Sequence, residues 1–172
     1  MNPKLHFIFS RRSIRTFTQK EVPDSMITDL LEAAMAAPSA VAKDPWHFLV
    51  LRTRGSLDQL AACLPNGKML GGAAAALVVC GDIDRAHDRE LSFLLQDVSA
   101  AIENILLAAN ALGLGACWLG IHPREERIAA VSRTFSLPET IIPVSAIALG
   151  WPAQDSPART RYNPNLVHGE QW

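Results

Sequence analysis

Cysteine is scarce in this 172-residue chain, and its three copies, Cys63, Cys80 and Cys117, form no Cys-x-x-Cys pair. An odd, unpaired count weighs against an exported, disulfide-stapled domain and fits a reducing cytosol. Cys80 and Cys117 lie inside apolar runs and are expected to be buried core thiols. The five histidines are scattered, with no His-x-x-x-His or His-Glu-x-x-His spacing, so no metal site is expected. There is no Gly-x-Ser-x-Gly elbow and no phosphate-binding P-loop, which argues against a serine hydrolase and a P-loop nucleotidase. Net charge is only −1, so the chain carries no broad basic field of the kind that binds nucleic acid, and any anion site must be local. No apolar stretch reads as long and charge-free enough to span a bilayer. Residues 1–10 are too short for a signal peptide before Arg11 and Arg12 interrupt them. A cytoplasmic protein is expected.

What is present is a chain that is 49% apolar and of a length that suits one domain with a sizeable core. Residues 3–9 read as a helical lead-in. Asp24 or Ser25 is placed to cap a helix in which Ile27, Leu30, Leu31, Ala34 and Met35 recur at helical spacing, with Pro38 beyond its end. Trp46–Leu51 reads as a strand, Ser56 as the cap of a brief helix through Leu64, and Pro65-Asn66-Gly67 as a turn. Ala73–Cys80 reads as a buried strand. The longest helix is expected at roughly 89–112. Its apolar positions cover more than one face, as in a helix held between layers or against a partner chain. Gly113 and Gly115 close it. A strand over Cys117–Ile121, a helix over Arg124–Phe135 and a strand over Ile142–Leu149 complete a layered α+β domain. The polar stretch 153–172, with Tyr162, Leu166, Val167 and Trp172, reads as an arm laid on a partner subunit.

Four constellations could carry chemistry. Arg11-Arg12-Ser13-Ile14-Arg15 sets three guanidiniums and a hydroxyl within five residues. Arginine offers a rigid donor fork that matches phosphate oxygens. Taken alone, such a cluster also serves as a solvated basic turn. Arg159-Thr160-Arg161 is weaker by itself and gains meaning only if it converges with the first cluster on one anion. Ala37-Pro38-Ser39-Ala40, followed by Asp44-Pro45-Trp46, puts small residues between a helix and a strand, where a flat ligand could approach the backbone. An ordinary connecting loop has the same composition. Gly113-Leu114-Gly115-Ala116-Cys117-Trp118-Leu119-Gly120 lacks dinucleotide-fingerprint spacing, but glycines around a strand let backbone amides come near a ligand. The plainer reading is a helix cap followed by a strand. Asp97, on the apolar long helix, is expected to pair with a core or partner group.

Arg-Arg-Ser-x-Arg near the start, Pro-Ser-Ala then Pro-Trp, a long helix ending in Leu-Gly-Leu-Gly, Trp-x-Gly, and a basic C-terminal arm follow one another in an order that resembles the FMN-dependent nitroreductase family. The resemblance spans nearly the whole chain. It implies a three-layer sandwich, with a central mixed or antiparallel sheet flanked by helices and a domain-swapped C-terminal arm. It further implies a homodimer whose core is the long helix. By the same resemblance, Arg11, Arg12 and Ser13 hold the phosphate and ribityl chain of FMN, and Arg159 and Arg161 complete that site. Arg15 reaches the pyrimidine side of the ring. Pro38, Ser39 and Ala40 pack along the ring from the other subunit. Leu119 and Gly120 bring a backbone amide to the ring nitrogen that accepts hydride. The family often has Asn where this chain has Ala42 and Gln where it has Asp44, so redox tuning and acceptor preference are open. Asn66 is a candidate for a lost polar contact to the ring.

The activity this implies is reduction of nitroaromatics, quinones or similar small acceptors by NADH or NADPH, in a ping-pong exchange through one site. The cofactor carries the chemistry, and no side chain need act as nucleophile or general base. Two alternatives stay open at this point. One is a flavin-binding module that stores or senses FMN without efficient turnover. The other is a reductive dehalogenase or flavin-fragmenting relative, although the substrate lids of such enzymes are not apparent in so short a chain.

Overall fold

In the computed structural model, which describes residues 2–154 and 156–172, the strands follow a period of two. In β2 (Ala75–Asp82), Leu77 and Val79 join one hydrophobic cluster, while Ala76, Val78 and Cys80 join the other. In β4 (Ile141–Gly150), Ile147 and Leu149 go one way and Ala146 and Ala148 the other. Both strands are therefore buried on two faces, as near-continuous apolar runs require. With β1 (Trp46–Leu51) and β3 (Gly115–Gly120) they form an antiparallel sheet in the order β1-β2-β4-β3, with a register shift between Val79 and Cys80.

Helices cover both faces. The first cluster is closed by α2 (Asp24–Met35) and α4 (Leu91–Ala111), through Ile27, Leu30 and Ala34 from one and Leu94, Val98, Ile102 and Ile105 from the other. The second is closed by α3 (Arg54–Cys63) and α5 (Glu125–Thr134), through Leu57, Leu60 and Val131. The three-layer α+β architecture is as the sequence implies, and the sheet is purely antiparallel. A short helix α1 (His6–Ser10) lies against α4, where Asn110 Nδ2 donates to the Phe7 carbonyl and to Ser10 Oγ, both at 2.8 Å.

The helix starts differ from the sequence reading. Neither Asp24 nor Ser25 caps α2. Pro23 holds the N-cap position, and Asp24 instead pairs with Arg52. At α3 the cap is Thr53, whose hydroxyl accepts from the Ser56 N–H at 3.2 Å, so Ser56 is the capped residue rather than the cap. By length and composition α4 is apolar enough to cross a membrane, contrary to the sequence-based expectation. Its packing on the sheet, with Asp97 and Glu103 along its length, makes it the central core helix.

The cysteine expectation holds: Cys80 and Cys117 are buried and Cys63 is half-buried, all free. Among the described residues no group of His, Cys, Asp and Glu side chains is disposed to hold a metal ion.

Candidate functional site

The first basic cluster is positioned by the edge of the sheet. Ser13 bridges Ala116 in parallel, beside β3, and the Ile14 N–H donates to the Ala116 carbonyl at 3.0 Å. This approach depends on Gly115. A Cβ there would lie 2.7 Å from Ile14 Cγ2 and 2.9 Å from Ile14 Cβ. Further on, Phe17 bridges Pro152, and the Thr18 N–H donates to the Trp151 carbonyl at 2.9 Å. Residues 11–18 are thus stitched between β3 and the end of β4.

The second basic cluster returns to the same place. After β4 the Ala153 N–H donates to the Thr16 carbonyl at 3.0 Å, and the Arg159 N–H to the Phe9 carbonyl at 3.2 Å. One cleft of about 380 Å³ is lined by Arg11, Arg12, Ser13 and Arg15 from the first cluster and Arg159 and Arg161 from the second. Among the described residues no acidic side chain lines it, and Glu103 lies 3.5 Å from Arg11 Nε in a half-exposed pair. Such a concentration of guanidinium donors matches an anion with several oxygens, a phosphate above all.

The arm is therefore tied at its beginning to its own chain. Beyond that point Tyr162, Leu166, Val167 and Trp172 are exposed, Trp172 fully so. Among the described residues of the arm, the His168 and Trp172 rings stack with centroids 4.2 Å apart.

A second cleft of about 500 Å³ adjoins the first at Arg15, which lines both. Its walls are the outer half of β3 (Cys117, Trp118, Leu119, Gly120), the turn after α3 (Pro65, Asn66, Lys68, Met69) and Arg127 from α5. Here the missing side chain of Gly120 leaves open space, since a Cβ would meet nothing nearer than the His122 carbonyl at 4.0 Å. Burial pushes the Cys117 thiol up, with Arg15 pulling it partly back. Asn66, singled out in the sequence, does line this cleft. Lys68 and Arg127 were missed. Lys68 follows the predicted turn by one residue and could have been included with it. Arg127 gives no local signal.

Pro38, Ser39 and Ala40 line neither cleft. They lie beside α4, where the Ala40 N–H donates to Asp97 Oδ1 at 2.8 Å while the buried Oδ2 has no partner. The segment is tightly built. Ser39 Oγ donates to Asp44 Oδ1 at 2.6 Å and accepts from the Asp44 N–H at 2.9 Å, so the Asp44 carboxylate braces its own loop. Val41, Ala42 and Asp44 all have φ near +50°, a region in which a β-branched residue such as Val41 is strained. A loop held so firmly with an exposed Val41 at its tip presents a fixed edge to whatever meets it.

Comparison with known proteins bears on the family and the fold. Residues 8–65 and 57–151 match the model of the Nitroreductase family. A protein of Methanothermobacter thermautotrophicus, provisionally named an NADH dehydrogenase/NAD(P)H nitroreductase, is 44% identical over 98% of this chain and 87% of its own length. A crystal structure from Bacteroides thetaiotaomicron, provisionally named in the same way, superposes with a TM-score of 0.93 at 40% identity, over 100% of this chain and 99% of that one. A provisionally named nitroreductase from Desulfovibrio desulfuricans, solved in complex with FMN, superposes with a TM-score of 0.84 at 35% identity, over 100% and 99% of the two chains.

Proposed function

The chain belongs to the nitroreductase family, and on that premise we propose that it is an FMN-dependent oxidoreductase that passes reducing equivalents from NADH or NADPH to small acceptors such as nitroaromatics or quinones. The observation that carries this reading is the convergence of Arg11, Arg12, Ser13, Arg159 and Arg161 on one cleft that shares Arg15 with a second. A phosphate and a planar ring joined by a short polar chain need such a pair of adjoining sites. In this reading the first five residues hold the phosphate. Arg15, Asn66, Leu119 and Gly120 face the ring.

FMN, when bound, supplies hydride acceptance from a nicotinamide and reduction of the acceptor. The protein's part is positional and electrostatic. Arg15 places a positive charge where negative charge builds on reduction, which favours the reduced state. The open backbone at Gly120 lets a ligand approach the peptide plane. Among the described residues no side chain of either cleft is arranged with a partner as a nucleophile–base pair, and donor and acceptor would use the ring cleft in turn.

The functional unit in this proposal is a homodimer. Support comes from surfaces that one chain leaves uncovered: Leu5, Phe7 and Ile8 on and beside α1, and the arm residues Tyr162, Leu166 and Trp172. Exposed apolar groups clustered in this way mark interaction surfaces. Pro38, Ser39 and Ala40 would reach the ring from the second subunit, which fits their absence from both clefts of their own chain.

The test is direct. Purified protein should be yellow, release FMN on acid treatment, and lose its flavin absorbance when mixed anaerobically with NADH or NADPH. A flavin that neither nicotinamide bleaches would replace the enzyme reading with that of a flavin store or sensor.

A further inference from the structure

We propose that Asp97 is a positioning residue: through the Ala40 N–H it fixes the segment Pro38–Ala40 against α4, and so sets how that segment packs on the flavin ring held by the second subunit. This role rests on the FMN-bound homodimer reading. Asp97 breaks the pattern of its helix. Leu94, Val98 and Ala101 around it are wholly buried in the first cluster, and Asp97 is itself only 5% exposed. Its Oδ1 accepts from the Ala40 N–H at 2.8 Å, while the buried Oδ2 has no partner among the described residues. A buried polar atom left unpaired lowers stability, and an apolar side chain of like size avoids that loss. What an apolar side chain cannot supply is the bond to Ala40.

Asn104, about two turns further along α4, donates through Nδ2 to the Ala33 carbonyl at 2.9 Å. One face of the helix thus grips both the end of α2 and the loop that follows it. Beyond Ala40 the chain passes Val41, Ala42 and Asp44 at φ near +50°, conformations that persist only where the surroundings enforce them. The donors of the loop are also turned inward: the Ser39 hydroxyl goes to Asp44 and the Ala40 N–H to Asp97. What remains for a flat ring is shape, the small apolar surfaces of exposed Pro38 and half-buried Ala40. Packing of this kind has no directional bond to correct its own placement, so the anchor behind Ala40 decides it. A shift of about 1 Å in such a surface is enough to spoil the alignment of a reacting pair stacked against it.

The experiment compares wild type with Asp97→Ala, which removes the acceptor, and Asp97→Asn, which keeps it. In flavin-free protein, hydrogen exchange of the backbone amides of residues 38–44 should quicken in Asp97→Ala and stay near wild type in Asp97→Asn. In the FMN-loaded dimer, Asp97→Ala should alter the visible circular dichroism of the bound flavin. It should also slow the limiting rate of flavin reduction by NADH or NADPH on the order of tenfold, while the nicotinamide Kd changes by less than about threefold. Asp97→Asn should restore most of both. A merely destabilised core would lower the unfolding midpoint and leave dichroism and limiting rate as they are; that result overturns the proposal, as does a loss in Asp97→Asn equal to that in Asp97→Ala. A heterodimer of one Asp97→Ala chain and one Arg11→Ala chain shows whose flavin the loop serves. The Asp97→Ala chain keeps its phosphate site and meets the intact loop of its partner, so the one retained flavin should behave as wild type, and an altered one overturns action across the interface. Should Asp97→Ala fail to fold, Ala40→Pro removes the same bond from the donor side, after a Ser39 already extended at φ −135° and ψ 158°, and unchanged dichroism and rate there refute the proposal. A wild-type protein that takes up no FMN, or holds it as a monomer, overturns the FMN-dimer reading and this one together. A yellow dimer indifferent to Asp97 and Ala40 overturns this one alone.

Discussion

Replacing Gly115 by alanine should damage FMN binding although the residue lines neither cleft. The new Cβ would stand 2.7 Å from Ile14 Cγ2 and 2.9 Å from Ile14 Cβ, where ordinary contact begins at 3.4 Å. Rotating the Ile14 side chain moves Cγ2 but not Cβ, so the backbone of residues 13–15 must withdraw by roughly 0.5–0.7 Å from β3. The Ile14 N–H to Ala116 carbonyl bond, now 3.0 Å, would stretch past useful length. Overpacking costs about 1–3 kcal/mol, and the lost backbone bond about 1 kcal/mol more. Arg11, Arg12 and Ser13 move with the segment, so at least one charge-assisted bond to the phosphate is misaligned. That corresponds to an FMN affinity weaker by about tenfold or more. Recovery of free-flavin fluorescence on dilution reads the affinity, and thermal unfolding of the flavin-free protein reads the stability. Adding Ile14→Ala removes the Cγ contacts and should restore part of both. An unchanged FMN Kd in Gly115→Ala would refute the claim that β3 positions the phosphate cluster.

Arg11→Ala should weaken FMN binding by about 1.5–3 kcal/mol, the scale of hydrogen bonds to a charged group. Glu103→Gln, which removes only the half-exposed counter-ion 3.5 Å from Arg11, should leave FMN retention unchanged or improved, and equilibrium dialysis distinguishes the two variants. Burial pushes the Cys80 thiol from 9.0 up to about 12, so between those values the unfolded chain loses a proton that the folded chain keeps. Stability is then whole below pH 9 and falls as pH rises, by on the order of 1 kcal/mol per pH unit between 9 and 12, and urea titrations should show that slope diminished in Cys80→Ala. Deleting residues 160–172 removes Arg161 and the exposed Tyr162, Leu166 and Trp172. On the dimer proposal, the truncated protein should both retain FMN poorly and sediment as a monomer at dilutions where the full chain should sediment as a dimer. An intact, flavin-loaded dimer after truncation would contradict the arm's assigned role.

The regular elements were legible because their signals are local. Trp46–Leu51 forms a strand with the predicted ends, and α4 begins and ends within two residues of expectation. The caps were less so. Thr53, Ser56, Asp24 and Ser25 are all competent N-cap types, and the choice among them is made by where the chain enters the helix. Asp24 is drawn to Arg52, 28 residues away, a pairing that no local pattern encodes. The same division runs through the site. Arg11–Arg15 is compact in sequence and could be read as an anion site. Its convergence with Arg159 and Arg161 was conditional until the Arg159–Phe9 and Ala153–Thr16 backbone bonds placed them together. Arg127 was invisible for the opposite reason. It lies on an otherwise ordinary polar helix face, and only the bond to Gly120 and the fold of the turn after α3 make it part of a wall.

The glycines of the β3 segment show where reading from residue type alone reaches its end. In sequence Gly113 and Gly115 read as closing the long helix, and all three glycines as places where backbone amides could come near a ligand. In the structure they divide three ways. Gly113, at φ +76°, turns the chain out of α4. Gly115 yields its space to Ile14, so the close approach there is made by the chain itself, about a hundred residues away in sequence. Only Gly120 keeps its space open beside the cleft. An absent side chain records that something must come near, not what comes near. Here protein fills one gap and so positions Arg11, Arg12 and Ser13, and on the proposed FMN reading the other gap is left for the flavin that they hold.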